Sequence, residues 1–329
     1  MKNLSRSRNA EGWTAWRRFG RVPTIGSVLI SLSSLVGASR AIADRPVDQR
    51  RSVQTPPGPP ATPAAKSLDR SPSPPKRPDS SALRELFGDD RPGRPRLGEH
   101  PLKPALRWAK EVLPAIEGLK DYSATFVKRE QVDGKLGKRQ SFFIKIRHKP
   151  FSVYIRALAP AAIKGQQAIY VAGRNGGKMW AHPVGLAGIL VRGILVEPDG
   201  TLAMCDQRYP ITQIGILNMV KRMACVAEQD LQHDECEVRF FAQGKINDRV
   251  CTWFQAVHPV ARQFFHFHLA RVFVDDQLKI PIRYEAYTWP NEPGGSPVLL
   301  EEYNYLDLKL NNGFSDEDFS VDNPAYHFR

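Results

Sequence analysis

The chain has 329 residues, and 42% hydrophobic with 25% charged residues is ordinary globular composition, which excludes collagen, coiled coil and a polytopic membrane protein. Its net charge of +13 is unevenly spread: residues 1–104 carry 19 Lys/Arg against 9 Asp/Glu, and residues 105–329 carry 28 against 25. The body therefore lacks the concentrated basic footprint of a nucleic-acid binder, and no nucleic acid is expected as a partner.

Residues 1–43 read as an export signal. Lys2, Arg6, Arg8, Arg17, Arg18 and Arg21 make a positive start, residues 22–38 are free of charge, and Ala41-Ile42-Ala43 is a small-residue cleavage site. Cleavage is expected after Ala43, giving a periplasmic or cell-envelope protein that is not integral to the membrane. A retained anchor is the alternative, although the apolar stretch contains Pro23, Thr24 and four serines and is short for a bilayer span. Residues 44–104 hold 14 of the 27 prolines and a single aromatic, Phe87. Such a segment cannot bury enough apolar surface to offset its chain entropy, and it reads as a disordered, semi-rigid linker.

Residues 105–329 form the one predicted folded domain, with 27 aromatics. Pro104 suits the first turn of a helix, in which Ala105, Trp108, Ala109, Val112, Ile116 and Leu119 recur at helical spacing, and Pro114 predicts a kink. The period then changes to two. Strands are predicted over 122–131 and 138–148 around Asp133-Gly134, over 151–159, and over 166–172 and 178–182 around Gly173-Arg174-Asn175-Gly176-Gly177. Residues 184–196 are rich in Gly and Leu. A helix capped by Thr212 is expected to run to about Gln232, with Ile214, Leu217, Val220, Ala224, Ala227 and Leu231 as its stripe. Further strands are predicted over 235–243, 249–258, 265–275, 279–289 and 298–310.

About ten strands joined by short turns, without alternating helices, predict an α+β fold that is mainly antiparallel, a curved sheet wrapped around its helices. Several strands are bulky and apolar on both faces. On one, Ile280, Ile282, Tyr284 and Ala286 oppose Tyr287 and Trp289. Either both faces are covered, or one lines a lipophilic cleft.

The sequence holds no nucleophile elbow, phosphate loop, dinucleotide fingerprint or HExxH motif. His258, His266 and His268 come nearest to a metal site, but no third ligand is in evident register. Asp275-Asp276 reads as hairpin chemistry. Glu301-Glu302 sends one carboxylate to each face, which argues against an acid/base pair on that strand. Cys205, Cys225, Cys236 and Cys251 lack a C-x-x-C spacing and read as buried thiols or one structural disulfide. No catalytic residue, metal or cofactor is expected.

Five stretches carry a resemblance. They are Phe126-Val127-Lys128-Arg129-Glu130-Gln131-Val132-Asp133-Gly134; Lys145 to Tyr154 with Lys164-Gly165 and Ile169 to Gly173; Arg208-Tyr209-Pro210-Ile211-Thr212; Ala270 to Asp275 with Pro281 to Pro290; and Leu300-Glu301-Glu302-Tyr303 with Asp318-Phe319 and Asn323-Pro324. Over residues 120–328 the chain resembles the exported DUF1571 family common in planctomycete bacteria, which has no assigned catalytic residues. More distantly it resembles the lipoprotein carriers LolA and LolB. That resemblance implies a curved, open half-barrel of about ten antiparallel strands, with helices over its concave face covering an apolar cavity for acyl chains. The expectation is a non-catalytic envelope protein binding a lipid or lipoprotein acyl chain, with an envelope protein as a further partner. Residues 184–196 and the following helix would form the lid, and Trp180, Phe240, Trp253, Phe267, Tyr284 and Tyr303 would line the cavity. The rival readings are an envelope structural or interaction module with a filled core and, less favoured, a metal-dependent hydrolase at the three histidines.

Overall fold

The computed structural model describes residues 98–185 and 193–328. The predicted leader, most of the predicted linker and residues 186–192 of the predicted lid lie outside the described residues. Helix α1 (Lys103–Glu117) comes first and runs past Pro114 to the Gly118 cap, whose N–H donates to the Pro114 carbonyl. Leu102, just ahead of it, is 3% exposed and belongs to the core.

The strands are β1 (Asp121–Val132), β2 (Lys135–Leu136), β3 (Gln140–Arg147), β4 (Ser152–Ala159), β5 (Gln167–Val171), β6 (Met179–His182) and β7 (Ile194–Val196). After helix α2 (Ile216–Asp230) come β8 (Glu237–Ile246), β9 (Arg249–Val257), β10 (Leu269–Asp275), β11 (Pro281–Thr288) and β12 (Val298–Leu310). They form one 12-stranded sheet in the order β7-β6-β5-β4-β3-β1-β12-β11-β10-β9-β8, with β2 paired to β1. Each neighbour is antiparallel. The curved sheet stays open, with β7 and β8 at its edges. Two meanders are thus joined where the first strand pairs with the last. Every turn predicted from Gly and Asp lies between consecutive strands; Asp133 and Gly134 both take positive φ, as a two-residue hairpin requires.

The second helix departs from expectation. Thr212 does not cap it. Ile211–Gln213 is a separate 3-10 turn, and the chain breaks at Gly215, φ 109°, before α2 begins. The break is enforced from across the fold, since the Tyr122 hydroxyl accepts the Ile216 N–H at 2.8 Å. A Cβ on Gly215 would lie 2.9 Å from that oxygen. The predicted stripe keeps Val220 and Ala224 buried, and Ile216 and Met219 join them.

One face of the sheet packs against α1 and α2. Tyr122, Ala124 and Phe126 of β1 meet Ile144, Ile146, Val153, Val272, Tyr284, Tyr303 and Tyr305 from neighbouring strands, and Leu106, Ile116, Ile216 and Val220 from the helices. The opposite face is covered in two patches. Tyr154, Ile169 and Val171 lie under Phe319, Tyr326 and Phe328 of the C-terminal segment. Ile246, Cys251, Trp253, Phe273 and Ile282 form the other patch. Ile282 does not share a face with Tyr284 as its spacing predicts, because the β10–β11 register slips between Phe273 and Val274.

Candidate functional site

Beneath the helices the interior changes from apolar to ionised along β1 and β12. Period two puts Tyr122, Ala124, Phe126, Lys128 and Glu130 on one face of β1, and all five are buried. The β1–β12 register sets Phe126 opposite Tyr305, Lys128 opposite Tyr303 and Glu130 opposite Glu301. An aromatic row follows. The Tyr303 ring stacks 5.8 Å from Phe126 and 6.2 Å from Tyr284, within 16° of parallel in both cases.

The row ends in charge. Lys128 Nζ donates to Glu130 Oε2 at 2.7 Å and also to the Gln207 side chain. The Tyr303 hydroxyl lies 2.6 Å from Glu130 Oε1 and 3.2 Å from Glu301 Oε2. Arg208 ties the loop before α2 to both strands: its N–H reaches Glu130 at 3.2 Å, its Nε reaches Glu301 at 3.0 Å, and another guanidinium nitrogen reaches the Gln131 carbonyl at 2.9 Å. Both carboxylates have donors, as burial at this depth demands. Burial and the facing Glu301 push the Tyr209 hydroxyl up to about 12 and raise Tyr284 and Tyr303 well above the usual phenol range, so all three remain protonated donors. Arg222 of α2 packs over Tyr209 with its guanidinium carbon 3.7 Å from the ring centroid.

A second polar pair lies at the other end of α2. His258 is fully buried, stacked 3.8 Å on Phe265, and its Nδ1 donates to the Phe267 carbonyl at 3.1 Å. Its Nε2 is 3.4 Å from Asp230 Oδ2, and among the described residues neither Asp230 oxygen has a hydrogen-bond partner. Burial raises the Asp230 carboxyl to about 7 and lowers the His258 imidazole to about 4.

Tyr284, Tyr303 and Phe267 lie in the helix-side core. Phe240 reaches that side through Phe254, 5.5 Å away, which in turn meets Trp108 of α1. Trp253 stacks on Phe241 and Phe273 in the patch on the opposite face, and Trp180 packs beside the C-terminal segment there. Residues 194–196 of the predicted lid are edge strand β7. The three histidines do not converge: His258 is buried, His266 is exposed, and His268 bonds to the His258 carbonyl. Among the described residues no group of three or more His, Cys, Asp or Glu side chains is placed to hold a metal ion. None of the four cysteines is in a disulfide. Glu301 turns to the helix side, whereas Glu302 pairs with Arg139 and Arg283 on the other face. Asp275 accepts the Gln277 and Leu278 N–H groups in its hairpin.

Sequence reading missed Lys128, Glu130, Arg208, Arg222 and Asp230. For the first two a signal existed, since they continue the face of Phe126; for Arg222 and Asp230 the helical stripe offered none.

Among the described residues no helix is long and apolar enough to cross a membrane. No curated protein matches the sequence. Solved structures similar to the chain include the Mycobacterium tuberculosis lipoprotein LppX, at 12% identity and a TM-score of 0.37 over 65% of this chain and 98% of that one. A putative outer membrane lipoprotein-sorting protein domain from Vibrio parahaemolyticus aligns at 13% identity and a TM-score of 0.32 over 65% and 95%. A LolA superfamily protein from Nitrosomonas europaea aligns at 11% identity and a TM-score of 0.28 over 64% and 97%. The five stretches singled out in the sequence fall within a family match that spans residues 119–328, and the chain belongs to that family of proteins of unknown function, DUF1571.

Proposed function

We propose that the protein is a non-catalytic envelope protein that takes an acyl chain of a lipid or lipoprotein between its sheet and its two helices. The observation carrying this reading is the stacked row Phe126–Tyr303–Tyr284 on a rigid sheet face under α1 and α2. Helix meets sheet there through aliphatic side chains such as Leu106, Ile116, Met219 and Val220, with α2 tied to β1 at one end by the Ile216 N–H on the Tyr122 hydroxyl. An acyl chain can replace those contacts at little cost and gains about 0.8 kcal/mol per buried CH₂. Tyr284, Tyr303 and Phe267 would line its path.

Trp108 reports on this layer, while Trp253 and Trp180 sit on the opposite face. Lipid extracted from purified protein and identified by mass spectrometry is the direct test. A brominated fatty acid should also quench tryptophan emission in the native chain and lose that effect in Trp108→Phe. Purified protein free of lipid, combined with unquenched Trp108, would reject the reading.

The second reading, an interaction module with a filled core, is favoured by the closure at one end of the layer, where Tyr122 seats against Gly215. Unchanged emission at every lipid concentration would favour it.

A further inference from the structure

Charge is not balanced at the end of the aromatic row. Lys128, Arg208 and Arg222 face two carboxylates, Glu130 and Glu301. Both carboxylates are occupied: Glu130 by Lys128, the Arg208 N–H and Tyr303, and Glu301 by Arg208 and Tyr303. The surplus cation is Arg222. Its guanidinium rests on the Tyr209 ring, and among the described residues it donates no hydrogen bond and forms no ion pair. A planar fork with all its donors unspent suits an oxyanion.

The apolar row leads to it. Arg222 stacks on Tyr209, the Tyr209 ring is 6.5 Å from Tyr303, and Tyr303 stacks on both Phe126 and Tyr284. We infer that Arg222 binds the head of an amphiphile carrying a single negative charge, a fatty carboxylate or a phosphodiester lipid. This rests on the acyl-chain reading and fixes which acyl chains the layer selects. One negative charge neutralises the cluster. A neutral head leaves it positive, and a phosphate monoester overshoots it.

The test titrates the protein with pyrene-dodecanoic acid and with its methyl ester, probes of equal apolar surface and different charge. The native chain should bind the acid about tenfold more tightly, a typical difference for one charge-assisted contact. Arg222→Gln should bring that ratio to about one while ester affinity stays the same, and Arg222→Lys should keep most of it, with folding checked by circular dichroism. Competition with dodecanoate and with lysophosphatidylglycerol then identifies which of the two heads is preferred. Equal binding of acid and ester by the native chain, or a ratio unchanged in Arg222→Gln, would overturn the head-group site and leave the apolar layer standing. Failure of both probes to bind would overturn the layer itself.

Discussion

Asp230 and His258 sit where neither can ionise without cost. Folding moves their proton affinities in opposite directions, the acid up to about 7 and the imidazole down to about 4. Between about pH 4 and 6.5 the unfolded chain holds an ionised aspartate and a protonated histidine, while the folded chain holds a neutral acid and a neutral imidazole. Each state carries one proton, so the two pH dependences cancel. Single substitutions should uncover them. Asp230→Asn leaves only a histidine with a depressed pKa, whose contribution is complete above pH 6.5 and fades as pH falls to 4, a loss on the order of 3 kcal/mol. His258→Gln leaves only an acid with a raised pKa, whose contribution is complete below pH 3.8 and fades as pH rises to 7, on the order of 4 kcal/mol. Urea denaturation at pH 4, 5.5 and 7 measures both slopes, and native and Asp230→Asn curves that stay parallel would refute the account. Nothing local marks this pair. Asp230 reads as the polar end of a helix and His258 as a strand end, and only the tertiary fold puts each in the other's reach.

At the scale of elements, most strands and the start of α1 were legible, and the start of α2 was not. Val298–Leu310 has the bounds that alternation predicts, because a strand's period is written in its own residues. Where α2 starts is decided elsewhere: Tyr122 of β1 supplies the acceptor for Ile216 and forces the positive φ of Gly215. Gly215→Ala should therefore cost about 2 kcal/mol or more, through left-handed strain and collision with the Tyr122 oxygen. Tyr122→Phe should cost about 1–2 kcal/mol by leaving a buried N–H without a partner. Thermal melts of both variants check the ranking. The C-terminal segment hangs on a second such device. The buried carboxylate of Asp121 accepts the N–H groups of Asn312, Gly313 and Phe314 at 2.6, 3.1 and 3.2 Å, and Lys145 bonds to Asp318 at 2.6 Å beneath the ring of Tyr326. Asp121→Ala should destabilise by about 3 kcal/mol and make residues 314–328 the first site of proteolytic cleavage within residues 98–328. Cleavage that starts elsewhere within those residues would show that the stacked Tyr154–Tyr326 pair holds the segment unaided.

For the whole molecule, an antiparallel sheet wrapped around helices follows from strand count, short turns and the position of the two helical stripes, and its openness from the resemblance alone. The charged end of the interior does not. Alternation places Lys128 and Glu130 on the core face, but their compensation by Arg208 and Glu301 depends on β1 meeting β12, a pairing between opposite ends of the fold. That pairing also predicts how stability is distributed. β1 and β12 have partners on both sides, whereas β7 and β8 each leave one edge unpaired, and the helices meet the sheet mainly through apolar side chains. Backbone amides of β1, β3, β11 and β12 should exchange hydrogen most slowly, those of β7 and β8 sooner, and those of α1 and α2 at an intermediate, sub-global free energy, since a roof can lift without breaking a ladder. A fatty acid that occupies the layer stabilises the closed form by mass action. Its addition should slow exchange in α1 and α2 and leave the edge strands β7 and β8 unchanged. Mass-spectrometric exchange with and without dodecanoate measures this. Helices that exchange only with the central strands, or that ignore the fatty acid at saturating concentration, would mean that roof and sheet open as one unit and that no acyl chain enters between them.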